Sequence, residues 1–141
     1  MNILIINGPN LNLLGEREPE VYGSMTLDEL NHWINTHSVS QEHKLRFYQS
    51  NHEGEIIDLI HTNRHLVGAM VLNAGALTHY SYALRDAIVG SQIPTVEVHI
   101  SDIQAREDFR KISVIEDVCI AQISGRGKQG YVDAIQLLTD L

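Results

Sequence analysis

The chain has little of what builds special-purpose scaffolds. It carries one cysteine, so no disulfide can form within it, and Cys119, in the apolar run VCIAQI, reads as a buried, inert thiol. No apolar stretch approaches the ~20 residues of a membrane span. The amino-terminal NILIIN is about one strand long and has no basic flank, which does not fit a signal peptide. There is no internal repeat, low-complexity tract or interdomain linker. Cations are scarce too: ten Lys and Arg stand against 18 Asp and Glu, a net charge of −8. That balance argues against nucleic acid or an anionic membrane as a partner. An anionic ligand would need a local pocket of positive charge. These absences lead us to expect a cytoplasmic protein.

What is present fits one domain over residues 1–141, with 43% apolar and 20% charged residues, ordinary values for a globular protein. Five β-branched apolar runs recur: NILIIN, KLRFYQS, VGAMVLN, TVEVHI and DVCIAQIS. Helical periodicity follows each of them. Leu27, Leu30 and Ile34 share a face, and Thr26 with Glu29 forms a capping box. EGEIIDLIHTN, YSYALRDAI and GYVDAIQLL continue the pattern, and a fourth helix is expected within EDFRKISVI. Strand–helix alternation implies right-handed crossovers and a buried parallel sheet. The expected fold is α/β: a flavodoxin-like, doubly wound, five-stranded parallel sheet of order 2-1-3-4-5 with helices on both faces.

Ligands of such folds bind beyond the carboxyl ends of the strands. The residues there are polar: Asn7, Ser50 to His52, Asn73, His99 to Ser101 and Ser124. The long segment GPNLNLLGEREPEVYG follows the first strand and overhangs the same edge. Several motifs need weighing. GRGKQG matches GxGxxG, but no second strand follows it, so it reads as a tight turn into the last helix rather than a dinucleotide site. His61 and His65 are spaced for a metal, yet they fall at a helix end, where imidazoles complement the dipole. Asn7 and Asn73 stand where a phospho-receiver would need carboxylates, and GPNLNLLG has no hydroxyl for a flavin phosphate.

In VEVHIS, Glu97, His99 and Ser101 alternate along a strand and point to one side. A carboxylate beside an imidazole fixes its tautomer and favours its protonated form, making a proton donor near neutrality. A phenol with a pKa of ~10 is a poor base, but a nearby guanidinium favours the phenolate. Arg17 and Tyr22 therefore form a candidate base and its activator.

Taken together, NGPNLNLLGEREPEVYG, YQSNHEGEIID, LNAGALTHYSYALRDAI, VEVHIS, AREDFR and GRGKQGY closely resemble the type II 3-dehydroquinate dehydratases, spread over almost the whole chain. The resemblance implies reversible anti elimination of water from 3-dehydroquinate, giving 3-dehydroshikimate in the shikimate pathway. It also implies no cofactor, no metal and a homododecamer built as a tetramer of trimers. By resemblance, Tyr22 removes the C2 proton, Arg17 keeps it ionised, and Asn10 with the Pro9 and Ala76 backbone holds a water on the enolate oxygen. His99, oriented by Glu97, protonates the departing hydroxyl. Asn73, Ile100 and Ser101 match contacts to the substrate carboxylate. His79 and Arg110 match contacts to ring hydroxyls, and Asp86 would come from a neighbouring subunit. The chain departs from the pattern at Leu77, Tyr80, Asp102, Gln104 and Arg126; Asp102 would repel a carboxylate if it faced the pocket. The competing reading is a non-catalytic flavodoxin-like module that binds a small anion.

Overall fold

A computed structural model describes all residues, 1–141. Five parallel strands form one sheet in the order β2-β1-β3-β4-β5: β1 Asn2–Asn7, β2 Lys44–Gln49, β3 Ala69–Asn73, β4 Thr95–His99 and β5 Ala121–Ser124. The α-helices are α1 Pro19–Tyr22, α2 Leu27–Thr36, α3 Glu53–Asn63, α4 Tyr82–Ser91 and α5 Gln129–Thr139. β1 and β3 lie at the centre and are almost wholly buried, as a sheet covered on both faces requires. Alternate residues feed two cores: Ile3, Ile5, Val71 and Val98 pack with α2 and α5, while Leu4, Ile6, Met70 and Leu72 pack with α3 and α4. The expected capping box is formed: the Thr26 hydroxyl accepts from the Glu29 amide at 3.2 Å, and the Thr26 amide donates to the Glu29 carboxylate at 3.1 Å.

Two expectations are corrected. EDFRKISVI does not form an α-helix; the β4–β5 connection is a series of short 3-10 turns at Ile103–Ala105, Asp108–Lys111 and Glu116–Val118. The Ser113 hydroxyl accepts from the amides of Ile115 and Glu116 at 3.3 and 3.1 Å. These local bonds occupy donors that a helix would need, and the β-branched Ile112, Val114 and Ile115 do not favour one. Cys119 is only part-buried, just ahead of β5, although burial still pushes its thiol up to about 12.

The first and third strands are drawn together at their carboxyl ends. Gly8 donates to the Asn73 carbonyl at 2.7 Å. A Cβ on Gly8 would come within 2.6 Å of the Ala74 carbonyl oxygen, so only glycine fits. Gly75, at φ +59°, is less tight: a Cβ there would lie 3.0 Å from the Pro9 carbonyl oxygen. The loop segments NGPN and NAGA thus form one floor.

Candidate active site

Above that floor lies a cavity of about 130 Å³ lined by Pro9, Asn10, Leu11, Arg17, Tyr22, Asn73, Gly75, Ala76, His79, His99, Ile100, Ser101, Ile103, Arg106 and Arg110. It sits beyond the carboxyl ends of the strands, as the fold class predicts. Three segments build it, each held differently.

The first is the loop after β1. Its base is pinned: the Asn10 amide donates to Asn51 Oδ1 at 2.9 Å, and Gln49 Nε2 reaches the Gly8 carbonyl at 3.1 Å. Leu11 and Leu14 sink into the core. The chain then turns through positive φ at Gly15, Glu18 and Gly23, and one short helix, α1, carries Tyr22 back over the cavity. The Arg17 guanidinium lies 5.1 Å from the centre of the Tyr22 ring.

The second is the end of β4. Glu97 is fully buried, and its carboxylate receives three donors: the Ser113 hydroxyl at 2.9 Å, Gln122 Nε2 at 3.0 Å and His99 Nε2 at 2.5 Å. The Gln122 amide nitrogen can only donate, and the Ser113 hydroxyl, already accepting from two backbone amides, has its proton left for Glu97. With Glu97 accepting from both, His99 Nε2 donates to it as well. Nδ1 of His99 is left as the nitrogen free of Glu97. Ser101 follows, its carbonyl accepting from the Ser124 hydroxyl at 3.1 Å.

The third is the β4–β5 connection, which packs against His79 at the end of the turn after β3. The His79 ring faces that of His99, with centroids 6.5 Å apart and planes inclined by 19°, and its Nδ1 donates to the Ile112 carbonyl at 2.7 Å. Burial holds His79 below the ordinary histidine value, and the nearby His99 and Arg110 add to the effect. It is a neutral ring at pH 7, with Nε2 as an acceptor. Arg110 is paired with Glu107 at 3.1 Å.

This connection also supplies a residue that sequence reasoning missed. Arg106 Nη1 donates to the Tyr22 hydroxyl at 2.5 Å and to the Ser101 hydroxyl at 3.4 Å, while Nη2 reaches Glu18 at 3.3 Å. It joins the loop arm to the β4 wall. The signal lay in AREDFR, where Arg106 and Arg110 are four apart, but only the fold tells which of them meets the tyrosine.

Of the residues expected at the site, Asn10, Arg17, Tyr22, Asn73, Ala76, His79, His99, Ile100, Ser101 and Arg110 line the cavity, and Glu97 stands directly behind His99. Asp86 is exposed on α4 and does not line it. Asp102 does not line it either: its carboxylate caps the next turn through the Gln104 amide at 3.0 Å. His61 lies in the last turn of α3, and neither it nor His65 touches the cavity. GRGKQG is a turn with positive φ at Gly125 and Gly127, leading into α5.

A family model described as class II dehydroquinase matches residues 1–139. The chain belongs to that family. A 3-dehydroquinate dehydratase of Halothermothrix orenii is 49% identical over 139 residues, covering 99% of this chain and 94% of the relative. The crystal structure of a type II dehydroquinase from Butyrivibrio crossotus matches with a TM-score of 0.95 at 50% identity, covering 99% of this chain and 97% of that one. A second, from Propionibacterium acnes, matches at 0.89 and 38% identity over 99% and 97% of the two chains. The two solved dehydroquinases therefore share this fold over almost the whole chain.

Proposed function

We propose that this chain is a type II 3-dehydroquinate dehydratase, converting 3-dehydroquinate to 3-dehydroshikimate by anti elimination through an enolate. The observation that carries the reading is one cavity holding a tyrosine whose hydroxyl meets one guanidinium and whose ring lies beside a second, together with an imidazole oriented by a buried carboxylate. Family membership and full-length similarity to named 3-dehydroquinate dehydratases support it.

Each step has a group to perform it. Tyr22, as phenolate, takes the C2 proton, and the electron pair moves onto the ketone oxygen. Arg17 and Arg106 stabilise negative charge on the phenolate. A water held by Asn10 and the backbone of Pro9 and Ala76 stabilises the enolate oxygen. The enolate then collapses: the C1–C2 double bond forms, the C1–O bond breaks, and His99 protonates the leaving hydroxide to water. One proton must return from Tyr22 to His99 before the next turnover. Asn73, Ile100 and Ser101 hold the carboxylate, and His79 accepts from a ring hydroxyl that Arg110 also contacts.

The active assembly is a homododecamer, a tetramer of trimers, in which Asp86 completes a neighbour's site. What supports this is the exposed position of Asp86 and a surface on which Tyr82, Val89, Phe109 and Ile112 are each more than half exposed. No helix is long and apolar enough to cross a membrane; we place the enzyme in the cytoplasm, in the shikimate pathway.

The test is an ultraviolet assay with 3-dehydroquinate. The enzyme gives rising absorbance from the conjugated enone; a non-catalytic anion-binding module gives ligand binding without it. Borohydride added with substrate leaves no covalent adduct, because Lys44, Lys111 and Lys128 are the only lysines and none lines the cavity.

A further inference from the structure

The glycine turn before α5 has a use unrelated to nucleotides. At Gly130 a Cβ would lie 3.4 Å from the side chains of Val98 and Ile123, in ordinary van der Waals contact, so the helix start rests on the sheet. The next residue, Tyr131, is fully buried, and its hydroxyl reaches the ends of the two central strands. There Asn7 and Asn73 are register partners, side by side on the α5 face.

The hydrogens at this junction have only one arrangement. The Gly75 amide can only donate, and it does so to Asn73 Oδ1 at 3.2 Å, which fixes the oxygen side of the Asn73 amide. Nδ2 therefore faces Tyr131, donating to its hydroxyl oxygen at 3.0 Å. The one phenolic proton is then committed to Asn7 Oδ1, at 2.5 Å. One N–H of Asn73 is used in this chain, and the second is left for the cavity that Asn73 lines.

We propose that Tyr131 is a positioning residue for substrate binding: with Asn7 behind it, it locks the Asn73 amide so that an N–H is presented to the bound substrate. The inference rests on the reading that Asn73 contacts substrate. Burial pushes the Tyr131 hydroxyl well above the ordinary tyrosine value, so it stays a neutral donor throughout the working range. Without the hydroxyl, the amide keeps a single anchor and can turn about it.

A double-mutant cycle of Tyr131→Phe and Asn73→Ala, read by KM and kcat with 3-dehydroquinate and by melting temperature, tests this. Tyr131→Phe alone is expected to raise KM about fivefold, the worth of one hydrogen bond, with kcat within about twofold. In the Asn73→Ala background it should change KM by less than about twofold, since there is no amide left to position. A lowered melting temperature with KM unchanged, or an equal KM rise in both backgrounds, overturns the proposal. If Asn73→Ala alone leaves KM unaltered, Asn73 does not hold substrate, and the proposal falls with that assignment. Asn7→Ala keeps the phenol but removes its acceptor, and covers the case in which Tyr131→Phe does not fold. It should raise KM in the same direction, and the rise should again vanish without Asn73.

Discussion

The two walls of the cavity are made in opposite ways. On the β4 side, Glu97 and His99 are buried, two residues apart on one strand, and tied to Ser113 and Gln122. On the loop side, α1 has no buried residue, and Tyr22 is held over the cavity by contacts from Arg17 and from Arg106, which is 84 residues away. The imidazole is thus set by local, satisfied bonds in a dry place. The phenol is set by a hydrogen bond from a guanidinium of a distant connection, at the end of an arm that turns through positive φ at Gly15, Glu18 and Gly23. One wall is rigid by construction, and the other depends on its partner being present.

The largest expected effect is on the loop wall. Tyr22→Phe should lower kcat by about 100- to 10,000-fold while product still binds, measured by steady-state kinetics and calorimetry. Near-normal turnover would remove Tyr22 as the base. Next is the β4 wall. Glu97→Gln keeps the shape but places an uncharged amide behind His99, and kcat should fall about ten- to hundredfold. An unchanged rate would mean that the buried carboxylate does not act through the imidazole.

Stability should separate the same two regions. Gly8→Ala forces a Cβ into the Ala74 carbonyl and should cost roughly 1–3 kcal/mol in denaturant unfolding. Gly23→Ala meets no atom within 4 Å, but φ +83° with ψ 177° is a region open almost only to glycine, so it should cost roughly 1–3 kcal/mol through backbone strain alone. The floor loss comes from contact and the arm loss from strain; a Gly8→Ala variant as stable as the parent chain would contradict the clash at the floor.

The arrangement was partly legible in the sequence. Strand runs, the Thr26–Glu29 box and the polar strand ends depend on local pattern, and they gave the sheet, its order and the edge where the cavity lies. Asn10, Ala76, His79 and Arg110 were assigned roles there only through the family resemblance. The missing helix after β4 was not legible, because Ser113 diverts its backbone donors through bonds that periodicity does not register. Arg106 was hidden for a different reason: nothing local distinguishes it from Arg110, and only the crossover brings it to Tyr22. Tyr131 read as one more apolar contact of α5; its hydroxyl acquires partners only when β1 and β3 are paired.

The smallest effect concerns pH. His79 is held below its ordinary value, chiefly by burial, so the folded state favours the neutral ring. Its contribution to stability is present above about pH 6.5 and is lost as pH falls from there toward the folded value. His79→Gln should therefore lose less stability than the parent chain between pH 7.5 and 5.5. A parent that loses no more than the variant would contradict the burial argument.

The central claim is that the loop arm carries the base and the β4 wall carries the acid. Exchange at C2 of the substrate, followed by NMR in D2O, separates the two roles. His99→Ala should still wash deuterium into C2 while dehydration stalls, because the enolate forms but cannot expel hydroxide. Tyr22→Phe should show neither exchange nor dehydration. Exchange in Tyr22→Phe as fast as in His99→Ala would place the base elsewhere and contradict the account.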